Sequence, residues 1–297
     1  MKKLHLALGI FVTCIWGANF SVIKLGLAQL DPFMLTALRF TFCALPLVFI
    51  LKRPNVALRV VAAYGTLFGV GLWGAVNLGI QVGLSAGLAS LLLQFSAFFT
   101  ILLAGIVFGE TMSRTQVAGM VVACAGLVLI LGTTGGNVSI AGAALVICGA
   151  LSWSVCNLLV RKNKPDDMLE FIVWSSLFSA LPLFAITYAV KGAQPFVDLG
   201  HSLNAKALFS ILFQAYVTTI FGYWVWNSLM KTYPVSSVAP LSLFVPVAGL
   251  ITSWIAYDEH IAPERIGAAL LILAGMGVFL FAKPLGAWLA QRPASLT

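Results

Sequence analysis

Amides and aromatic rings recur at helical spacing along this chain, and they are the residues best placed to do chemistry. Trp16, Asn19 and Phe20 share one apolar run, and Trp73 and Asn77 share another, with Gln81 at its end. Ser90, Gln94 and Phe98 step by four, and Asn157 follows Trp153 by four. The densest stripe is Tyr216, Thr219, Tyr223, Trp226 and Asn227. Steps of three or four place side chains on one helix face. An amide carries both donors and acceptors, and a ring face attracts cations, so such faces suit non-covalent recognition of a small polar molecule bearing an amine. Taken singly, each residue could instead bond a neighbouring helix or sit in an interfacial aromatic belt. Together, the five stripes point to a shared polar cavity. Leu229 lies off the last stripe and is expected to meet lipid.

Covalent and acid–base chemistry is poorly provided for. All nine acids (Asp31, Glu110, Asp166, Asp167, Glu170, Asp198, Asp258, Glu259 and Glu264) fall in loops or at the ends of apolar runs, as do His5, His201 and His260. A paired carboxylate or a His/Cys site at one depth, which an enzyme would need, is missing. Proton coupling has no obvious intramembrane carrier either. The five cysteines (Cys14, Cys43, Cys124, Cys148 and Cys156) form no C-x-x-C pair and suggest neither a disulfide framework nor a metal site. Gly69-Val70-Gly71-Leu72-Trp73-Gly74 matches a dinucleotide fingerprint, but it lies within an apolar run with no acid about 20 residues on. No cofactor is implied. The expected partners are a small-molecule substrate and membrane lipids.

Arg39 is the one ionised side chain inside a run, six residues past Phe33 and thus about 9 Å along a helix. At that depth it could snorkel to the headgroups, or face the cavity and hold a carboxylate. A second irregularity is Val238-Ala239-Pro240-Leu241-Ser242-Leu243-Phe244-Val245-Pro246. Prolines remove backbone donors and free carbonyls, so Pro240 and Pro246 predict a broken helix or hinge with Ser242 at the cavity.

The elements that must carry these residues are membrane helices. The 297 residues are 61% hydrophobic and 9% charged, with mean hydropathy +1.02, against roughly 25% charged in soluble domains. Uninterrupted apolar runs mean helices, because only a helix satisfies its backbone within one segment. Ten spans are predicted, at about 4–23, 33–51, 60–80, 85–108, 115–132, 139–160, 168–190, 206–229, 235–257 and 264–283. The net charge of +8 sits at their ends, which argues against nucleic acid as a partner. Met1-Lys2-Lys3 resembles a signal peptide, but the apolar run continues to Ile23 without a clear cleavage site, so a retained first span is expected. Gly65/Gly69, Gly79/Gly83/Gly87 and Gly105/Gly109 recur every fourth residue, a spacing that lets membrane helices approach closely.

Orientation and doubling follow. With the N-terminus inside, twelve lysines and arginines fall on the cytoplasmic side and four on the other, which places both termini in the cytoplasm. Trp16 precedes Lys24 by eight residues, as Trp153 precedes Arg161; Glu110 precedes Gly126 by sixteen, as Glu259 precedes Gly275. A five-span unit written twice enters the membrane from opposite sides. The expected fold is therefore an all-α integral membrane protein of two inverted five-helix repeats (1–132 and 139–284) with a cytoplasmic tail, 285–297. Lys24 and Arg161 are expected to anchor helix ends.

Trp16-Gly17-Ala18-Asn19-Phe20 with Lys24, Arg39-Phe40 and Gly109-Glu110 resemble the EamA family of the drug/metabolite transporter superfamily, over nearly the whole chain. Gly87-Leu88-Ala89-Ser90-Leu91, Ala97-Phe98-Phe99-Thr100-Ile101 and Val238-Ala239-Pro240-Leu241-Ser242-Leu243 are most similar to its exporters of cysteine and O-acetylserine. The resemblance implies export of small metabolites across a bacterial inner membrane.

Overall fold

The computed structural model describes residues 1–109, 112–132, 139–233, 238–258 and 263–290. Its longer helices are α1 (Lys3–Leu27), α2 (Pro32–Ala44), α3 (Leu58–Gln81), α4 (Ala86–Phe108), α5 (Arg114–Gly132), α6 (Ile140–Asn163), α7 (Met168–Lys191), α8 (205–232), α9 (239–257) and α10 (Pro263–Ala290), with the one-turn helices Gln194–Val197 and Leu199–Ser202 between α7 and α8. Seven helical segments are long and apolar enough to cross a membrane, among them Pro32–Phe49, which is α2 with the turn that follows it, and Arg114–Leu129, Leu241–Tyr257 and Ile266–Ala282 are shorter apolar helices. Large apolar side chains face outward all round the bundle, among them Phe11, Phe49, Ile106, Leu181, Trp224, Ile255 and Leu270. A soluble protein would have to bury much of that surface. This is a multi-pass membrane protein.

Local chemistry explains the helix ends. Asp31 caps α2 through the Phe33 and Met34 amides at 2.9 and 3.2 Å, with Pro32 at the first helical position. Asp167 caps α7 in the same way, so two of the peripheral acids have structural work. The run predicted over 33–51 stops at Ala44: Pro46 forces Leu45 into an extended conformation, and only the short 3₁₀ turn Leu47–Phe49 follows. Inside α7, Pro182 leaves the Phe178 carbonyl without its helical donor, and Thr66 Oγ1 approaches it at 3.5 Å. α10 runs on to Ala290, into the stretch expected as a tail, and residues 291–297 lie outside the described residues. Glu110 and Glu259 lie outside the described residues.

Two kinds of irregularity occur in pairs. α3 turns π-helical over Leu67–Gly74, and α8 does so over Phe213–Phe221. α9 begins as a 3₁₀ turn, Ala239–Leu243, and becomes α-helical at Phe244. Pro240 lies in the 3₁₀ turn and Pro246 in the first turn of the α-helix, where no intrahelical donor is lost, so the break falls between the prolines. α4 breaks as well, between Leu93 and Ser96, with three-residue hydrogen bonds from Phe95 to Leu92 and Ala97 to Gln94. No proline marks that break.

Small residues bring the helices together. α1 packs beside α9, α3 against α6 and α7, α2 against α7, and α5 against α10. Gly17 lies directly on α9, where an added Cβ would fall on the Val245 carbonyl and within 2.7 Å of the Ala248 Cβ. Gly65 and Gly69 seat Ser175 and Ser179, and Gly79 meets Gly142. The close-packing expectation fits those positions. Gly83 and Gly109 instead take positive φ (102° and 69°) at helix ends, where glycine costs least.

Candidate functional site

A cavity of about 400 Å³ lies within the bundle, and five helices bring most of the polar stripes to it. α1 supplies Trp16, Asn19 and Phe20; α3 supplies Tyr64, Leu72 and Trp73; α6 supplies Trp153 and Asn157; and α8 supplies Thr218, Tyr223, Trp226 and Asn227. Gln94 and Ser242 come from the two broken helices, and Arg39 from α2. Its size suits a small molecule.

One wall is aromatic. Trp16 packs on Tyr223 and Trp226 with ring centroids 5.2 and 5.3 Å apart, and Trp153 packs on Phe68 at 5.4 Å. Trp16 is held in place by its Nε1–H, which donates to the Thr218 carbonyl of the π-helical stretch at 2.9 Å. The other walls carry polar atoms. Gln94 Nε2 donates to the Ser242 carbonyl at 2.6 Å, which ties the break in α4 to the 3₁₀ turn of α9. Asn157 Nδ2 donates to Thr100 Oγ1 at 3.2 Å. Three cavity atoms are buried with no partner: Asn19 Oδ1, Asn227 Nδ2 and Trp73 Nε1. Buried polar groups are ordinarily paired, and Asn77 Oδ1 and Ser175 Oγ, away from the cavity, are the other buried unpartnered side-chain atoms among the described residues.

Arg39 settles inward. It is 1% exposed, its guanidinium carbon lies 4.1 Å from the Trp73 ring centroid, and Nε and Nη2 donate to Thr219 Oγ1 at 3.2 and 2.9 Å. Lys24 lies near the C-terminal end of α1, with its Nζ 4.5 Å from the Tyr257 ring centroid.

Four expected residues lie elsewhere. Asn77 donates to Thr36 Oγ1 at 2.8 Å and ties α3 to α2. Ser90 donates to the Gly87 carbonyl and packs on Gly249 of α9. Phe98 meets Phe279 of α10 at 4.6 Å. Tyr216 is partly exposed on the outside, because the wider π turn breaks the three-and-four spacing that put it in line with Tyr223. Leu229 is also displaced: it is buried with Val12, Val225 and Val238, while Trp224 faces outward. Tyr64 and Thr218 were not singled out by the sequence pattern. Tyr64 stands alone among the apolar residues of its turn, and Thr218 lines the cavity from within the π-helical stretch of α8.

The two ends of the cavity differ. Val160, Met168 and Met230, close to the α6, α7 and α8 ends that share the side of Lys3, line it on that side. On the other side, Ser21 donates to Thr252 Oγ1 at 3.2 Å, Tyr257 Oη donates to the Ser21 carbonyl at 2.8 Å, and Ser210 donates to the Val22 carbonyl at 2.7 Å. Those bonds lock α1 to α8 and α9.

Comparison with known proteins places this arrangement. The model of the EamA-like transporter family matches residues 3–132 and again 140–281. A Salmonella typhimurium protein named "Probable amino-acid metabolite efflux pump" is 34% identical over 92% of this chain and 94% of its own length. An Escherichia coli protein of the same name is 33% identical over 95% and 96%. The Bacillus subtilis "Uncharacterized transporter YoaV" is 27% identical over 95% and 99%. One crystal structure shares the fold with a TM-score of 0.63, at 20% identity over 97% of this chain and 99% of that one. With both halves matched by one family model and a buried polar cavity at their junction, the chain belongs to the EamA-like transporter family.

Proposed function

We propose that the chain is a secondary transporter of the bacterial inner membrane that exports small amino-acid-like metabolites, such as cysteine or O-acetylserine, by alternating access. Ten spans form two inverted halves, 1–132 and 139–284, with both termini cytoplasmic. The packing pairs support the doubling. Exchanging each helix with the one five places along turns α1–α9 into α6–α4, and α3–α6 into α8–α1. The pairs α2–α7, α4–α9 and α5–α10 map onto themselves. The π stretches of α3 and α8 correspond under the same exchange, as do the breaks in α4 and α9.

The observation that carries the reading is the cavity with its unpartnered amide atoms inside an aromatic wall. Asn19, Asn227, Gln94 and Asn157 present donors and acceptors for an amino acid, and Trp16, Tyr223, Trp226 and Trp153 attract its ammonium, worth roughly 0.5–2 kcal/mol. In the conformation described, the cavity reaches toward the cytoplasmic end while the α1–α8–α9 bonds seal the other. Rocking one half against the other breaks those bonds and opens the periplasmic side. The ring wall also favours a second reading, export of aromatic amino acids or drug-like compounds; the lack of a carboxylate among the lining residues counts against cationic drugs.

Efflux of radiolabelled amino acids and their acetylated precursors from cells overexpressing the chain tests this. The expected result is several-fold faster loss of one or a few small polar compounds than from vector controls. Faster loss only of tryptophan-like compounds or dyes would favour the second reading, and no difference for any compound would contradict export.

A further inference from the structure

We infer that Arg39 is the carboxylate clamp of this cavity, and that the transported class is defined by a free carboxylate rather than by an amine. The inference rests on the export reading and names the group that reading leaves open. Arg39 is wholly buried in the middle of the bundle, where an uncompensated charge is expensive. Its hydrogen-bond partners are neutral: Thr219 Oγ1, and Gln214 Oε1 at 3.5 Å. The ionisable groups around it are Cys43 and Tyr223, and among the described residues no carboxylate is one of them. Three bonds, one from each nitrogen, leave two of the five guanidinium N–H groups over.

The neighbouring donor points to the same occupant. Trp73 lies with its ring against the guanidinium, lines the cavity, is 8% exposed, and its Nε1–H is unpartnered. The two guanidinium N–H groups left over and the Trp73 Nε1–H are therefore neighbouring donors without acceptors among the described residues. Their missing counterpart is an anion, and the planar guanidinium fork matches a carboxylate. No comparable charge faces the amine, which meets neutral acceptors such as the Asn19 oxygen and ring faces. The carboxylate is therefore required and the ammonium is dispensable.

Thermal unfolding of the purified full chain, titrated with cysteine, N-acetylcysteine and cysteamine, tests this, alongside entry of the labelled compounds into proteoliposomes. Cysteine and N-acetylcysteine keep the carboxylate; cysteamine keeps only the amine. The two carboxylates are expected to stabilise the protein at concentrations at least roughly tenfold below any effect of cysteamine. Arg39→Gln should abolish that difference, and Arg39→Lys should restore only part of it. Where Arg39→Gln fails to fold, the comparison of cysteine with cysteamine on the unaltered protein decides alone. Equal stabilisation by cysteamine, no stabilisation by either carboxylate, or an undiminished carboxylate response in Arg39→Gln would overturn the clamp. If cysteine and cysteamine cross equally fast, the clamp falls and export stands; if nothing crosses while the carboxylates still stabilise, export falls and the clamp stands.

Discussion

Asn227→Leu is expected to lower transport at least roughly tenfold while leaving the protein as stable as before, or more so. Asn227 Nδ2 is buried without a partner on the cavity wall. A buried donor left unsatisfied costs about 1–3 kcal/mol, and replacing it by an apolar group of similar size removes that cost. A residue that only glued helices would behave in the opposite way, losing stability on substitution. Thus a fall in transport together with an unchanged or raised thermal midpoint is specific to a ligand-binding role. The same wall should be reachable by solute. In a background lacking the five native cysteines, Tyr223→Cys and Asn227→Cys should react with small aqueous thiol reagents, with substrate protecting them. Trp224→Cys, on the exposed outer face, should not react. Full transport by Asn227→Leu, or equal labelling at all three positions, would remove α8 from the substrate path.

Gly17→Val is expected to have the largest effect on assembly. Even a single methyl at this position falls on the Val245 backbone carbonyl, and a backbone cannot rotate away as a side chain can. Overpacking costs about 1–3 kcal/mol where neighbours can adjust, and more where they cannot. The α1–α9 seam also carries Ser21–Thr252 and Tyr257–Ser21, so the displacement would break the bonds that seal one end of the cavity. A clear drop in the thermal midpoint and in the amount recovered from the membrane is expected. Gly277→Ala on α10, where an added Cβ meets nothing within 4 Å, is the matched control and should lose neither. An unchanged midpoint for Gly17→Val would mean that the helices do not lie as close as described.

The same physics decides what could be read from residues alone. Apolar runs between prolines and charges mark the helices, because lipid admits only helices and closed barrels and barrel strands would alternate apolar with polar residues. Trp16, Asn19, Trp153, Asn157, Tyr223 and Asn227 reach one cavity because amides and ring edges avoid lipid, and the pattern registers that directly. It could not tell Asn77 from Asn19: both must be buried, and only the position of Thr36 on another helix gives Asn77 its partner. Tyr216 was misplaced because a π-helical stretch has no marker in residue type and shifts every face beyond it. The break in α4 is likewise silent, since Gln94 and Phe95 carry no helix-breaking chemistry and the irregularity is held by the Gln94–Ser242 bond across the halves. Arg39 had two readings at equal depth, and the α8 partners Thr219 and Gln214 decide between them.

The most direct measurement is flux into sealed vesicles containing only the purified chain. Vesicles preloaded with unlabelled cysteine or O-acetylserine are given the labelled compound outside, and the label inside is recovered and identified chemically. A carrier with a cavity exposed to one side at a time predicts that label accumulates transiently above its equilibrium level, is recovered unchanged, and depends on preloading. Label recovered as a different compound, or entry no faster than into protein-free vesicles for every compound that leaves overexpressing cells, would contradict it.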